Sequence, residues 1–295
     1  MRTRKNFAVN FLSAILAAHV LLPVLPIVTP ADSHITSPSI LRKHDAFHSR
    51  FLPAARDLIV YLPPGYDSQP ERRFPVLYLQ DGQNIFDPAT SYVGVAWGVR
   101  ETADRLIFES KIRPLVIVGI YNTGKQRVRE YTPSRAPKLG GGGANRYARM
   151  LLTEIKPFIE SQYGILHGPA NTGIGGSSLG GLLTLYLALR YSNVFGKVAA
   201  LSPSVWWNHC WIVNYASRLH PKSHPRIWLD VGTQEGASTA SNTRRMRDVL
   251  YQKGWHDGRD LRYREFEGAQ HNETAWARRV APFLQFLFPV GESEV

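Results

Sequence analysis

Short apolar runs bounded by turn residues alternate with longer amphipathic stretches along most of the chain. The runs Asp57–Leu62, Pro75–Leu79, Pro114–Ile120, Thr172–Ile174, Val198–Leu201, Arg226–Val231 and Leu261–Phe266 have the length and side chains of strands. Val76-Leu77-Tyr78-Leu79 is apolar throughout, the pattern of a strand covered on both faces. Helical periodicity falls at Val99–Phe108, Arg146–Tyr163 (with Pro157 inside), Gly180–Tyr191, Thr243–Lys253 and Glu273–Phe288. Gly180–Tyr191 is apolar on most faces, as a buried helix is. This alternation predicts an α/β fold with a mostly parallel central sheet flanked by helices. No repeat, long linker or insertion large enough for a lid interrupts residues 32–295, so they read as one domain.

The first 31 residues break the pattern. Arg2, Arg4 and Lys5 precede an apolar run, Phe7–Val28, interrupted only by Asn10, Ser13 and His19, and small residues follow at Thr29-Pro30-Ala31. That is the layout of a cleaved signal peptide, and it predicts export to a periplasm or the medium. A retained membrane anchor is the alternative, which Pro23 and Pro26 weaken. Once the leader is cut, no stable membrane insertion is expected. The formal charge of +12 includes three residues of the leader, which holds no acid, so the mature chain carries nine. The basic residues are scattered without a nucleic-acid motif, and no nucleic-acid partner is expected. Cys210 is the only cysteine, which excludes an internal disulfide and a Cys-x-x-Cys metal site.

The most informative segment runs from Gly173 to Gly181. In the frame Gly176-Ser177-Ser178-Leu179-Gly180 it reads G-x-S-x-G, between a short strand and an apolar helix. Such a turn thrusts a serine out of the sheet in strained backbone, and side chains two residues either way would crowd it. Choosing Ser177 would put Leu179 where a glycine belongs, so Ser178 is the candidate nucleophile. Without partners the segment would be only a glycine-rich turn. Serine needs a base, and in this order of elements the acid and then the histidine follow it. His271 lies after the last strand and before the last helix. Asp230-Val231-Gly232-Thr233-Gln234-Glu235 offers two acids: Glu235 on the loop, which is favoured, and Asp230 inside the strand. Glu273 is a weaker third, since it also suits a helix start. An oxyanion hole needs two backbone N–H donors. Leu179 supplies one, and the loop from Gln80 to Asp87 supplies the other, from Gly82 or Gln83.

The segments Val60–Asp67, Val76–Asp87, Glu130–Pro133, Gly176–Gly181, Leu201–Trp207 and His271–Trp276 together resemble the esterase family within the α/β-hydrolases. That family takes in enterochelin-type siderophore esterases, feruloyl and acetylxylan esterases, S-formylglutathione hydrolases and mycolyltransferases. The resemblance spans nearly the whole mature chain and implies a Ser/acid/His hydrolase without metal or organic cofactor. Glu235 departs from the Asp of many members, which leaves the acid open. Trp206 and Trp207 are candidates for a pocket wall, with core filling as the alternative. Arg127 and Arg129 are candidates to meet an acidic substrate, with a solvated basic loop as the alternative, and Tyr121 and Asn122 to line the cleft. The expected substrate is a small-molecule or glycan-linked ester, siderophore-type or a carbohydrate acyl ester. An acyltransferase using the same triad is the rival, and a non-catalytic binding module is disfavoured by the complete residue set.

Overall fold

Strands that are apolar on both faces need cover on both faces, and helices supply it here. The computed structural model describes residues 37–220 and 223–291. The predicted leader, residues 1–31, lies outside the described residues. The strands are β1 (Ile40–Phe47), β2 (Arg56–Leu62), β3 (Val76–Gln80), β4 (Val116–Ile120), the short pair β5 (Arg135–Ala136) and β6 (Gly140–Gly141), β7 (Thr172–Ser177), β8 (Lys197–Leu201), β9 (Arg226–Gly232) and β10 (Leu261–Phe266). Eight of them form one sheet in the order β1-β2-β4-β3-β7-β8-β9-β10. β1 and β2 run antiparallel to their neighbours and the rest pair parallel. The fold is therefore the expected α/β-hydrolase arrangement in one domain.

The helices are α1 (Val99–Phe108), α2 (Arg127–Tyr131), α3 (Ala144–Met150), α4 (Lys156–Gln162), α5 (Leu179–Arg190), α6 (Trp207–Arg218), α7 (Ala237–Gln252), α8 (Glu273–Ala277) and α9 (Val280–Leu287). Alternate residues of each strand feed two cores. Val118, Ile174, Val198 and Leu229 pack with α3, α5 and α6. Ile117, Leu79, Ala199 and Trp228 pack with α1 and α9 on the other face. α5 is buried from Leu179 to Leu189, as its unbroken apolar sequence predicts.

The short β5, β6 and α2 stand where no element is predicted, and four longer elements differ from the sequence expectation for a physical reason. No strand is predicted over β1, whose sequence is charged. It is an edge strand with no fully buried residue, and Lys43 reaches Asp57 of β2 at 2.9 Å. Charged edges of this kind also discourage pairing with other chains. α6 was not expected, because its aromatic-rich start holds three left-handed residues, Asn208, His209 and Cys210. α7 begins at Ala237 rather than Thr243, since its Ser- and Thr-rich first turns read as loop. The last predicted helix is two, α8 and α9, broken at Arg278-Arg279. Arg146–Tyr163 is helical nearly as expected, with a π-helical turn, Leu151–Ile155, ahead of Pro157.

Candidate active site

The C-terminal ends of β3, β7, β8, β9 and β10 lie at one edge of the sheet, and loops leaving that edge carry the candidate residues. Ser178 follows β7 with φ 56° and ψ −122°, a conformation that non-glycine residues rarely adopt. The glycines two places away permit it. A Cβ on Gly176 would lie 2.9 Å from the carbonyl carbon of Gly180, and one on Gly180 3.1 Å from Asp81 Oδ2. Ser178 Oγ lies 2.9 Å from His271 Nε2, and His271 Nδ1 lies 2.8 Å from Glu235 Oε2. With the carboxylate accepting the Nδ1 proton, Nε2 is left as the acceptor facing the serine hydroxyl. Trp276 meets the imidazole edge-on at 4.9 Å and restrains the ring.

Glu235 is held from behind. Its Oε1 accepts from Ser202 Oγ at 2.5 Å, the Gly232 amide at 2.7 Å and Arg279 Nη2 at 3.2 Å. Burial pushes its carboxyl up, but the hydrogen bonds from His271, Ser202 and Gly232 outweigh that and hold it below its ordinary value. Arg279, 1% exposed, also donates through Nη1 to Asp230 Oδ1 at 2.7 Å and to Ser202 Oγ at 2.7 Å. Arg279 engages only Oε1 of Glu235, and Oε2 is left to face His271 Nδ1. A carboxylate in that place stabilises an imidazolium, as proton transfer from a serine requires.

Ser178 and His271 open on a cavity of about 470 Å³. Asp81, Gln83, Asn84, Asn122, Arg127 and Glu273 also line it, and its only large apolar surfaces are the rings of Tyr92 and Trp276. Arg127 pairs in bidentate fashion with Asp81, at 2.7 and 2.8 Å, and Asn122 Nδ2 donates to the same carboxylate at 2.7 Å. Leu179 follows the serine in the chain, and Gln83 lines the same cavity. Leu179 opens α5, and Gln83 sits in the 3-10 turn Gly82–Asn84. Amides in the first turn of a helix have no partner within it. Gln83 is fixed at both ends, its carbonyl accepting from Thr90 at 2.6 Å and its side chain from the Asn122 amide at 3.2 Å. Among the described residues no group of three or more His, Cys, Asp or Glu side chains could hold a metal ion.

A family model described as "Putative esterase" matches residues 49–287. The chain belongs to this esterase family. It is 27% identical over 261 residues to "Uncharacterized protein YbbA" of Bacillus subtilis (strain 168), covering 84% of this chain and 96% of that protein. It is 33% identical over 160 residues to the ferri-bacillibactin esterase BesA of the same organism, 49% of this chain and 52% of that one. The crystal structure of BES protein from Bacillus cereus matches with a TM-score of 0.70 at 23% identity, covering 90% of this chain and 100% of that one, which supports the fold. The protein is a carboxylic ester hydrolase.

Set against the sequence expectations, the structure of this esterase brings Ser178, His271 and Glu235 together and separates the other acids from the imidazole. Asp230 faces inward, with Arg279, Trp228 Nε1 at 2.7 Å and the Ser202 amide at 3.1 Å as its partners. A residue in mid-strand cannot turn toward a loop histidine, which corrects its candidacy. Glu273 lines the cavity but does not meet Nδ1. Of the substrate candidates, Arg127 and Asn122 border the cavity, both engaged by Asp81. Arg129, Tyr121, Trp206 and Trp207 do not border it. Trp207 is 2% exposed and donates to the Ser134 carbonyl at 2.9 Å, so it fills core. Trp206 is 44% exposed beside it. Gly82 is pressed against β4, where a Cβ would meet Gly119 at 2.5 Å, so of the two donor candidates only Gln83 borders the cavity. Sequence reasoning missed Arg279 and Ser202. Both stand in or near quoted segments, but nothing local marks them, since Arg279 reaches partners 44, 49 and 77 residues away.

Proposed function

We propose that the protein is an exported serine esterase acting through an acyl-enzyme on Ser178. The carrying observation is the unbroken series of contacts from Ser178 through His271 to Glu235, starting from a serine in strained backbone. Ser178 Oγ attacks the ester carbonyl while His271 Nε2 takes its proton. The N–H groups of Leu179 and Gln83 stabilise the oxyanion. His271 then returns the proton to the departing alcohol, and a water activated by the same imidazole releases the acid and frees the serine. Glu235 is the triad acid.

The substrate class is a small-molecule or glycan-linked carboxylic ester, siderophore-type or a carbohydrate acyl ester, in keeping with relatives named siderophore esterase and feruloyl esterase. Export rests on the basic, then apolar, composition of residues 1–31. Among the described residues no helix is long and apolar enough to cross a membrane. A fluorophosphonate probe tests the chemistry. The parent is expected to label at Ser178 and Ser178→Ala to remain unlabelled, while equal labelling of both would remove Ser178 from the mechanism. Amino-terminal sequencing of protein recovered outside the cytoplasm tests the leader, with a start near residue 32 expected.

A further inference from the structure

One charged group of the cavity is used by neither the triad nor the fold. Glu273 is 9% exposed, lies two residues beyond His271, and borders the cavity. Asp81 is paired with Arg127 and Asn122, and Glu235 with His271 and Arg279, whereas no hydrogen bond or ion pair engages the Glu273 carboxylate among the described residues. Its carboxylate reaches the open cavity and is left available to a bound molecule.

Helix capping does not account for it. α8 has only five residues, and Asn272 already caps it by accepting from the Ala275 amide at 2.9 Å. Its position relative to the chemistry is more telling. In ester cleavage the leaving alcohol must touch His271 Nε2 to receive its proton, while the carbonyl oxygen points to the amides of Leu179 and Gln83. Of the two cavity carboxylates Asp81 and Glu273, Glu273 is the one nearest in sequence to His271. Arg127, the cation whose field also reaches Glu273, is bound to Asp81, so two carboxylates share one cation on this wall. Among the described residues no aliphatic side chain borders the cavity, which leaves polar recognition as its means of selection.

We propose that Glu273 is a specificity-determining residue that accepts a hydrogen bond from the alcohol portion of the substrate, selecting alcohols that carry an ammonium or hydroxyl donor and rejecting anionic ones. The assignment rests on the serine-esterase reading of the same cavity. It favours a polyhydroxylated or amine-bearing alcohol over the carboxylate-bearing partner that Arg127 alone would predict.

The test uses the acetate esters of 4-(aminomethyl)phenol, 4-(hydroxymethyl)phenol and 4-(carboxymethyl)phenol, which differ chiefly in the charge of one arm. For the parent, kcat/KM should fall in that order, by about tenfold or more from first to last, the size of a charge-assisted hydrogen bond set against repulsion. Glu273→Gln should shrink the ammonium-to-carboxylate ratio by about tenfold. Glu267→Gln, which removes an exposed charge outside the cavity, should leave the ratio where it was. A ratio does not depend on how much of a variant folds. A parent that does not discriminate, or a Glu273→Gln protein that keeps the parent ratio, overturns the proposal while Ser178 still labels. Absence of labelling in the parent overturns the esterase mechanism first, and this assignment with it.

Discussion

Arg56 and Arg279 are both buried arginines bound to carboxylates, and they do different work. Arg56 meets Glu130 through Nη1 at 2.9 Å and Nη2 at 3.1 Å, one cation against one anion, and ties β2 to α2. Arg279 divides the same two nitrogens between Asp230 and Glu235. The first cluster is electrically closed. In the second, Arg279 takes only Oε1 of Glu235, and Oε2 is left to His271. Burial is alike in the two, with side-chain exposures of 0% and 1%. A carboxylate oxygen left over for a histidine is what separates a site from a fastening.

The sharpest way to test that difference is to remove one charge from each cluster. Glu235→Gln should lower kcat by about 10⁴, the loss seen when the acid of a comparable triad is made neutral. Glu130→Gln should leave kcat within a fewfold, since Glu130 touches no reacting group. Steady-state rates on a short-chain aryl ester read both, and comparable losses would dissolve the contrast. Removing each arginine should next cost similar stability but different activity. Arg56→Met and Arg279→Met each strand buried carboxylates and should destabilise by about 3–5 kcal/mol, measured by urea denaturation. Only Arg279→Met should also lower kcat in the fraction that remains folded, because Glu235 loses a support.

Much of this was legible in the sequence and some was not. Ser178 was readable because strained backbone dictates glycines at fixed offsets, and that constraint is local. His271 and Glu235 were readable from the order of elements, since loops at one sheet edge converge whatever their separation along the chain. Arg279 was hidden inside what looked like an unbroken amphipathic helix. Its role depends on a break at Arg278-Arg279 that lets the side chain turn inward. β1 was hidden because an edge strand needs hydrogen-bond partners more than an apolar face. Glu130 and Tyr131 stood in a recognisable segment whose purpose became visible only in three dimensions, as Arg56 pairs with one and the Asp81 amide donates to the hydroxyl of the other at 3.2 Å.

Smaller effects refine the comparison. Asp230→Asn should cost stability while reducing kcat less than tenfold, because Asp230 steadies Arg279 without touching the imidazole. A fall as large as that of Glu235→Gln would return Asp230 to candidacy as the triad acid. Acid should act last and most gradually. Glu235 is held below its ordinary value, and Glu265 is held down to about 2 by the bidentate contact of Arg244. Groups with depressed folded values stabilise the protein above their unfolded pKa and lose that contribution as pH falls through the folded one. The melting temperature should therefore hold near neutrality and decline below about pH 4.5. A melting temperature that rises on acidification would contradict both assignments.

The backbone at Ser178 has a consequence for how far such a protein can be improved. A residue at φ 56° and ψ −122° is a conformational debt that the rest of the sheet carries, and the proposed reactivity of Ser178 is what it would serve. Ser178→Gly should release about 1 kcal/mol of it, giving a dead enzyme that melts higher than the live one. Selection for thermal robustness alone, applied to this chain without a check on turnover, would erase this strained turn first.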